Sequence, residues 1–220
     1  MDDMRKIKIL SGYTDFISIN KAGEIYTNDD DESFYIFTKF TDKLKKLNDN
    51  NLIGISDIVN KVSLLDDGEV SEVNENYFVF KNEAGSINFA FSDIDMFGVS
   101  PQEIKRKMNM VLNDESYIGI ENINPELMKK LIKGVSLFES EGMKISIKDG
   151  EIRFIIGDNT SCELNLLISN DAPEMAEFEG IIKLPFIDEW ELRIFTEGYV
   201  LWKNDNFTIL GKSEDPDDFF

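Results

Sequence analysis

The chain has 220 residues, 42% of them apolar, which suits two domains of about 110 residues with cores of their own. Its 43 acidic and 23 basic side chains give a net charge of −20, which argues against an ordinary DNA-binding domain, because such domains are basic. The charge is compatible with an acidic protein that imitates DNA, with a protein whose few basic residues gather on one surface, and with acidity that only maintains solubility.

The same sequence favours a protein of the cytoplasm. No apolar stretch approaches the roughly 20 residues that span a bilayer, and the amino terminus, from Met1 to Lys6, lacks the apolar core of a secretion signal. Cys162 is the single cysteine, so no intrachain disulfide can form. We therefore expect a cytoplasmic protein with no membrane partner, in the host cytoplasm if the source is viral.

The first half of the chain predicts a mixture of helices and strands. Apolar spacing predicts a short helix near 4–12 and a second helix near 55–65. The predicted strands are 15–20, 23–27, 33–40, 69–74, 77–81 and 86–91. Residues 93–121 lack clear periodicity and include Gly98, Pro101 and Gly119, so we expect a connector there.

The second half begins with a clearly marked helix. Asn124 is a predicted N-cap, Pro125 suits the first helical position, and Glu126 favours the positive end of the helix. The apolar residues that follow at helical spacing are Leu127, Met128, Leu131, Ile132 and Val135. The predicted strands are 143–148, 151–157, 162–169, 190–195, 199–203 and 206–211.

Two segments of the first half recur in the second half, in the same order. Residues 77–83 (YFVFKNE) match 199–205 (YVLWKND), and residues 17–25 (ISINKAGEI) match 145–152 (ISIKDGEI), with Ala22 as an insertion. One match alone would be typical of any β-hairpin. Two matches in the same order indicate an internal duplication.

The duplication sets the predicted architecture. We expect an α+β fold with two similar domains, in which helices lie on one face of antiparallel sheets. The predicted domains are 1–92 and 122–220, and the connector between them is 93–121. The outer face of each sheet should be polar and acidic.

This repeated order of elements resembles the DNA sliding clamps, more closely the trimeric clamp of the T-even phages and more distantly proliferating cell nuclear antigen. The likeness is carried by the helix-to-hairpin segment from Ile123 to Ile152 and by the ending from Glu191 to Asp215. One departure is Pro185, which restricts the family's fourth helix, near 182–188, to about one turn.

The resemblance implies a fold of the DNA-clamp type and a ring of six similar domains, made by three copies of the chain. Such a ring encircles duplex DNA, has a clamp loader as a partner, and tethers a DNA polymerase as its processivity factor. Ring closure would pair an edge strand of one half with an edge strand of the neighbour's other half. The resemblance implies no enzymatic activity and no cofactor.

Basic side chains on the helices would then face the phosphates in the hole of the ring. Such contacts are electrostatic and independent of sequence, which lets a ring slide. The residues so assigned are Arg5, Lys6, Lys8, Lys61, Lys129, Lys130, Lys133 and Lys183. Any solvent-facing helix also carries lysines, so each residue alone has a second interpretation. The cluster Lys105-Arg106-Lys107 is expected to face solvent or a partner.

For partner peptides, the resemblance implies an apolar pocket beneath the connector, beside the carboxy-terminal strand. The residues assigned to it are Phe34, Met96, Phe97, Ile209 and Leu210. Ile209 and Leu210 could equally fill the core. Phe219 and Phe220 resemble the aromatic anchors of clamp-binding peptides, so the tail itself could occupy a pocket.

Residues able to support catalysis are scarce. The chain has no histidine, and Cys162 is interpreted as an ordinary strand residue. The acidic run 29–32 lacks the spacing of a calcium loop, so no metal site is predicted. Asp95 with Glu103 and Lys105 matches an arrangement found in Mg²⁺-dependent nucleases, although those enzymes carry Glu-x-Lys on a strand. Two other function classes stay open: a nuclease, and an acidic decoy that imitates DNA and occupies a nucleic-acid enzyme.

Overall fold

The computed structural model describes residues 1–20, 22–29, 33–41, 44, 46–47, 52–62, 64–65, 68–92, 99–158, 162–173, 176–195 and 197–213. The chain divides into two compact units, Met1–Met110 and Val111–Phe220. Each unit combines helices with antiparallel strands, so the predicted α+β fold is confirmed. None of the helices among the described residues is long and apolar enough to cross a membrane.

The first unit opens with a helix that packs beside a second helix. Its elements are α1 (Asp3–Leu10), β1 (Phe16–Ser18), β2 (Glu24–Asn28), β3 (Phe34–Lys39), β4 (Leu52–Gly54), α2 (Ile55–Val62), β5 (Glu69–Val73), β6 (Tyr77–Lys81) and β7 (Ser86–Ala90), followed by α3 (Pro101–Leu112), which reaches the boundary between the units. Within this unit β1 pairs with β4, β2 pairs with β3, and β5, β6 and β7 form a three-stranded sheet.

The second unit contains two four-stranded arrangements. Its elements are β8 (Tyr117–Ile123), α4 (Pro125–Leu137), β9 (Met143–Lys148), β10 (Glu151–Asp158), β11 (Cys162–Ser169), β12 (Phe178–Ile182), β13 (Trp190–Phe195), β14 (Tyr199–Lys203) and β15 (Phe207–Lys212). The strand orders are β11-β10-β9-β12 and β15-β14-β13-β8. The core holds Trp190 and Trp202, whose rings meet edge to face.

The two segments that recur in the sequence have the same structure in both units. Asn82 follows β6, and its side-chain oxygen accepts hydrogen bonds from two backbone N–H groups of the next turn. Asn204 follows β14 and does the same. In the other repeat, α1 precedes β1 and α4 precedes β9, and both helices begin with a side-chain cap, from Asp2 and Asn124.

The predicted connector contains regular structure. Residues 93–98 lie outside the described residues, but α3 covers 101–112 and β8 begins at Tyr117. Only Ile104 and Met108 of α3 are buried, and such a narrow apolar stripe explains why the sequence showed no clear period. The boundary between the compact units falls inside 93–121, and the domain limits 1–92 and 122–220 stay a prediction.

The segment where a fourth helix was expected, 182–188, holds the end of β12 and a loop without a helical turn. Pro185 blocks helical continuation there. An aromatic contact anchors the loop instead: Phe186 packs edge to face on Trp190 and Phe207, and its carbonyl accepts a hydrogen bond from Trp190 Nε1 at 3.1 Å.

Candidate nucleic-acid interface

Helix α4 is fixed at its start and along its inner face. The Asn124 side chain accepts a hydrogen bond from Leu127 N at 2.9 Å, which caps the helix. Met128, Leu131 and Gly134 are buried. A Cβ at Gly134 would lie 3.1 Å from Ile156 Cδ1, so this glycine lets the helix approach β10 closely.

The opposite face of α4 carries lysines. Lys129 and Lys133 are exposed and four residues apart, so they project from the same side of the helix. Lys130 is exposed next to them and lines a groove described below. Within the described part of the chain, none of the three forms an ion pair. Their charges therefore face solvent without an acidic neighbour in contact.

Helix α1 presents a similar but shorter face. Arg5 and Lys8 are exposed and three residues apart. Lys6 is different, because it is only 4% exposed and its Nζ donates a hydrogen bond to Lys39 O at 2.6 Å. The ammonium group of Lys6 is thus used inside the unit, and its assignment to the DNA-facing set does not fit this geometry.

The remaining two assigned cations are less prominent. Lys61, on α2, is exposed, but its Nζ lies 2.9 Å from the Asp57 carboxylate one helical turn earlier. Lys183 is half-buried in the loop after β12. Paired or partly covered cations of this kind attract phosphate less than the lysines of α4 do.

Many basic residues outside α1 and α4 are matched with acids. Arg153 pairs with Glu151, Arg193 with Glu191, and Lys144 with Glu179 on neighbouring strand positions. The first two pairs join residues two positions apart on one strand, whereas Lys144 and Glu179 lie on paired strands, so only their contact depends on register and could not be read from the sequence alone. Exposed cations without an ion pair also lie singly elsewhere in the described part of the chain, at Lys81, Arg106, Lys148 and Lys212, so α1 and α4 are distinguished by carrying two and three of them on one helix.

The basic cluster of α3 does not simply face solvent. Lys105 Nζ lies 3.1 Å from Glu24 Oε2 and 5.1 Å from the centre of the Tyr26 ring. Lys107 Nζ lies 2.8 Å from the Tyr35 hydroxyl, and Arg106 is exposed. Hydrogen bonds from Asn20 and Lys105 hold the pKa of Glu24 below its ordinary value of 4.5. Two of the three cations therefore fasten α3 to the β2–β3 hairpin.

The residues assigned to a partner pocket are mostly in the core. Phe34 is buried against the Tyr13 ring in the first unit. Ile209 and Leu210, adjacent in β15, are both buried in the second. Met96 and Phe97 lie outside the described residues, as do Phe219 and Phe220.

The candidates for metal or nucleophilic chemistry lie only partly within the described residues. Glu103 and Lys105 lie on a helix rather than a strand, and Asp95 lies outside the described residues. Asp29 is buried and accepts a hydrogen bond from Phe34 N at 2.7 Å, which is a turn-closing role. Among the described residues, no three acidic, cysteine or histidine side chains are placed to share a metal ion.

A groove of about 450 Å³ lies beside the first turn of α4, in the second unit. Apolar side chains from β8 and β11 form its floor, with Lys130 and Asn122 at its polar part. No local sequence pattern indicated this groove, because its walls come from segments far apart in the chain.

Several strands lie at sheet edges within their own unit, among them β7 in the first unit and β11 in the second. β11 is the outer strand of its sheet, with an exposed cysteine, Cys162, and a half-exposed Leu167. β7 is an outer strand in the first unit and carries no charged residue, whereas β5, on the other edge, carries Glu69 and Glu72. An uncharged edge such as that of β7 is the least protected against pairing with another chain, and β11 carries one charged residue, Glu163.

Comparison with known proteins gives a fold and no close relative. Neither a protein-family model nor a curated protein matches the chain. The β clamp of Helicobacter pylori in complex with 5-chloroisatin aligns over 96% of this chain and 61% of its own, with a TM-score of 0.69 and 14% identity. DNA polymerase III subunit β of Pseudomonas aeruginosa aligns over 96% and 62%, with a TM-score of 0.65 and 12% identity.

A Helicobacter pylori β clamp bound to a DNA ligase peptide aligns over 99% of this chain and 67% of its own, with a TM-score of 0.63 and 13% identity. The chain thus has the sliding-clamp fold that its sequence predicted. It covers only 61% and 62% of the first two clamps, so it is shorter than they are by a substantial part.

Proposed function

We propose that this chain is the subunit of a DNA sliding clamp, a non-enzymatic processivity factor that closes with copies of itself around duplex DNA and tethers a DNA polymerase. The observation that carries the proposal is the clamp fold over 96% of the chain, combined with exposed, unpaired cations on α1 and α4 of a protein with a charge of −20. A protein that only imitated DNA would gain nothing from such a cationic surface.

The main proposed DNA-facing residues are Arg5, Lys8, Lys129, Lys130 and Lys133, which are exposed. Lys61, which pairs with Asp57, and the half-buried Lys183 are secondary. Together they would contact phosphates without reading sequence. The acidic remainder of the surface would repel DNA and restrict it to these cationic helices.

The proposed ring is a homotrimer of the kind found in T-even phages. Two clamp-type units per chain make six in three copies, and head-to-tail contacts with the right rotation close a ring. We assign β7 and β11 to these contacts, because each leaves an edge open and together they offer one edge from each unit. A clamp loader would open the ring at one of these contacts.

The polymerase and other replication proteins would bind through short peptides. One aligned clamp was solved with a DNA ligase peptide, which supports peptide binding as a mode of this fold. Phe34, Ile209 and Leu210 are too buried to act as first contacts, so we place the anchors of this proposal at Met96 and Phe97. Replacing both with Asp should shorten the products of the partner polymerase without affecting the ring's hold on DNA.

The decisive experiment is topological. The protein is mixed with linear duplex DNA, the ends are then blocked with biotin–streptavidin, and the complex is washed at high salt. A ring that has threaded onto DNA stays when the ends are blocked and slides off when they are open, because salt removes phosphate contacts but not encirclement. Equal loss from both DNAs would refute the ring, and a monomer that never binds DNA would favour the decoy.

A further inference from the structure

The buried face of α1 is unusual because it contains two charged residues. Asp3 is 1% exposed and Lys6 is 4% exposed, and they share this face with Ile7 and Leu10. A buried charge is costly unless hydrogen bonds compensate it. A helix that needed only to pack would carry apolar residues at both positions.

Both charges are satisfied by one short stretch of backbone. Thr41 N donates to Asp3 Oδ1 at 2.9 Å, and Leu44 N donates to Asp3 Oδ2 at 3.1 Å. Lys6 Nζ donates to Lys39 O. The carboxylate therefore accepts from the backbone N–H groups of Thr41 and Leu44, and the ammonium donates to the backbone carbonyl of Lys39, the last residue of β3.

These bonds determine how α1 is turned about its own axis. An eight-residue helix is marginal by itself, and two apolar residues, Ile7 and Leu10, hold its rotation only loosely because apolar contacts are non-directional. Hydrogen bonds are directional and weaken steeply when misaligned. Phe40, between Lys39 and Thr41, is in turn anchored, since its backbone N donates to Gly23 O at 2.9 Å.

The rotation of α1 decides where its cations project. Successive helical residues are about 100° apart, so a slip by one position would carry Arg5 and Lys8 away from their outward face. We infer that Asp3 and Lys6 are positioning residues, which hold α1 so that Arg5 and Lys8 reach the DNA phosphates. The inference rests on the proposed function and adds to it an acidic residue that promotes DNA binding.

The direction in which Asp3→Asn changes the affinity for DNA makes the inference testable. Asp3→Asn removes a negative charge near the DNA, so electrostatics alone would tighten binding. If Asp3 acts by positioning α1, Asp3→Asn should weaken binding instead. The asparagine side chain has one acceptor oxygen and cannot accept from both Thr41 N and Leu44 N. Lys6→Met removes the donor to Lys39 and should also weaken binding, while Lys6→Arg keeps a donor and should restore most of it.

The measurement is the affinity for a fluorescent short duplex as a function of salt, at a temperature where circular dichroism shows each variant folded. The salt slope is the steepness with which log affinity falls as log salt concentration rises. In the double variant Arg5→Gln/Lys8→Gln this slope should be smaller than in wild type by about 1.8, if each cation meets one phosphate. Asp3→Asn and Lys6→Met should each lower the slope toward that of the double variant. In that double-variant background, Asp3→Asn and Lys6→Met should cause no further loss of salt slope. If Asp3→Asn does not fold, Asp3→Ser keeps one acceptor and should act in the same direction.

Several outcomes would overturn the inference. Tighter binding by Asp3→Asn, or unchanged binding by both variants, would leave these residues with a purely structural role. A further loss of slope from Lys6→Met in the double-variant background would make Lys6 a direct phosphate contact. If the wild-type protein shows no affinity for duplex at all, the proposed function fails first and the inference falls with it.

Discussion

Gly23 and Gly150 adopt the same left-handed backbone, with φ of +76° and +81°, in the turns that follow β1 and β9. Each is followed by Glu and a buried Ile, so the sequence repeat corresponds to a repeated turn. The two sites differ in crowding. A Cβ at Gly23 would lie 3.0 Å from Phe40 O, whereas at Gly150 the nearest atom is 3.8 Å away.

The first prediction uses this difference. Gly150→Ala should lower the free energy of unfolding of the second unit by about 1–2 kcal/mol, the ordinary cost of a left-handed non-glycine residue. Gly23→Ala should cost the first unit more, because the methyl group also crowds a backbone carbonyl. Urea unfolding followed by circular dichroism measures both. Gly85→Ala, without positive φ and with only ordinary contacts, is the control, and an equal loss there would contradict the argument.

The second prediction concerns the cationic face of α4. Changing Lys129, Lys130 and Lys133 to Glu should leave folding intact, weaken binding to duplex DNA, and reduce the salt slope by about 2.7 if each meets one phosphate. Polymerase processivity should fall as it does when salt is raised. The matched control replaces Lys81, Lys148 and Lys212, three exposed lysines near strand ends, with Glu. If the control weakens DNA binding equally, the effect belongs to net charge and not to α4.

Patterns within single elements allowed most of the fold to be predicted. The N-cap at Asn124 and the two repeated segments are each recognisable from residues close together in the chain. All three features are present in the structure. α3 was missed because only Ile104 and Met108 are buried on it. The role of Lys6 could not be read from sequence, since it depends on Lys39, thirty-three positions along the chain. Whether a lysine faces DNA or a carbonyl is a tertiary property.

The third prediction concerns pH. The Asn20 amide first, and then Lys105, hold the pKa of Glu24 below its ordinary value. A carboxyl with a depressed folded-state pKa contributes stability that is present above its unfolded pKa and lost as pH falls through the folded pKa. Lys105→Met should therefore lower Tm at neutral pH, and its deficit relative to wild type should shrink as the solution is acidified below the ordinary pKa.

A neighbouring lysine serves as the control for this pH effect. Lys107→Met removes the same charge, a cation–π contact with Tyr35 and an exposed ion pair with Glu103 at 3.8 Å, which contributes little, but leaves the Glu24 pair in place. Its Tm deficit should change less with pH over the acidic range. Parallel curves for the two variants would show that Lys105 does not act through Glu24.

The fourth prediction tests the ring contact at β11. Leu167 on this edge strand and Ile187 in the loop after β12 are each 46% exposed, so replacing either with Asp should disturb folding little and to a similar degree. If β11 pairs with a neighbouring copy, Leu167→Asp places a charge at an apolar contact that is desolvated on assembly, which is costly. Native mass spectrometry should then show trimers for wild type and Ile187→Asp, and monomers for Leu167→Asp.

Cys162, exposed at the start of β11, offers a second readout, because its reaction with a maleimide should be slower in the trimer than in the Leu167→Asp monomer. A wild-type dimer with a two-fold interface, or a trimer that Leu167→Asp leaves intact with Cys162 fully reactive, would rule out β11 as the contact.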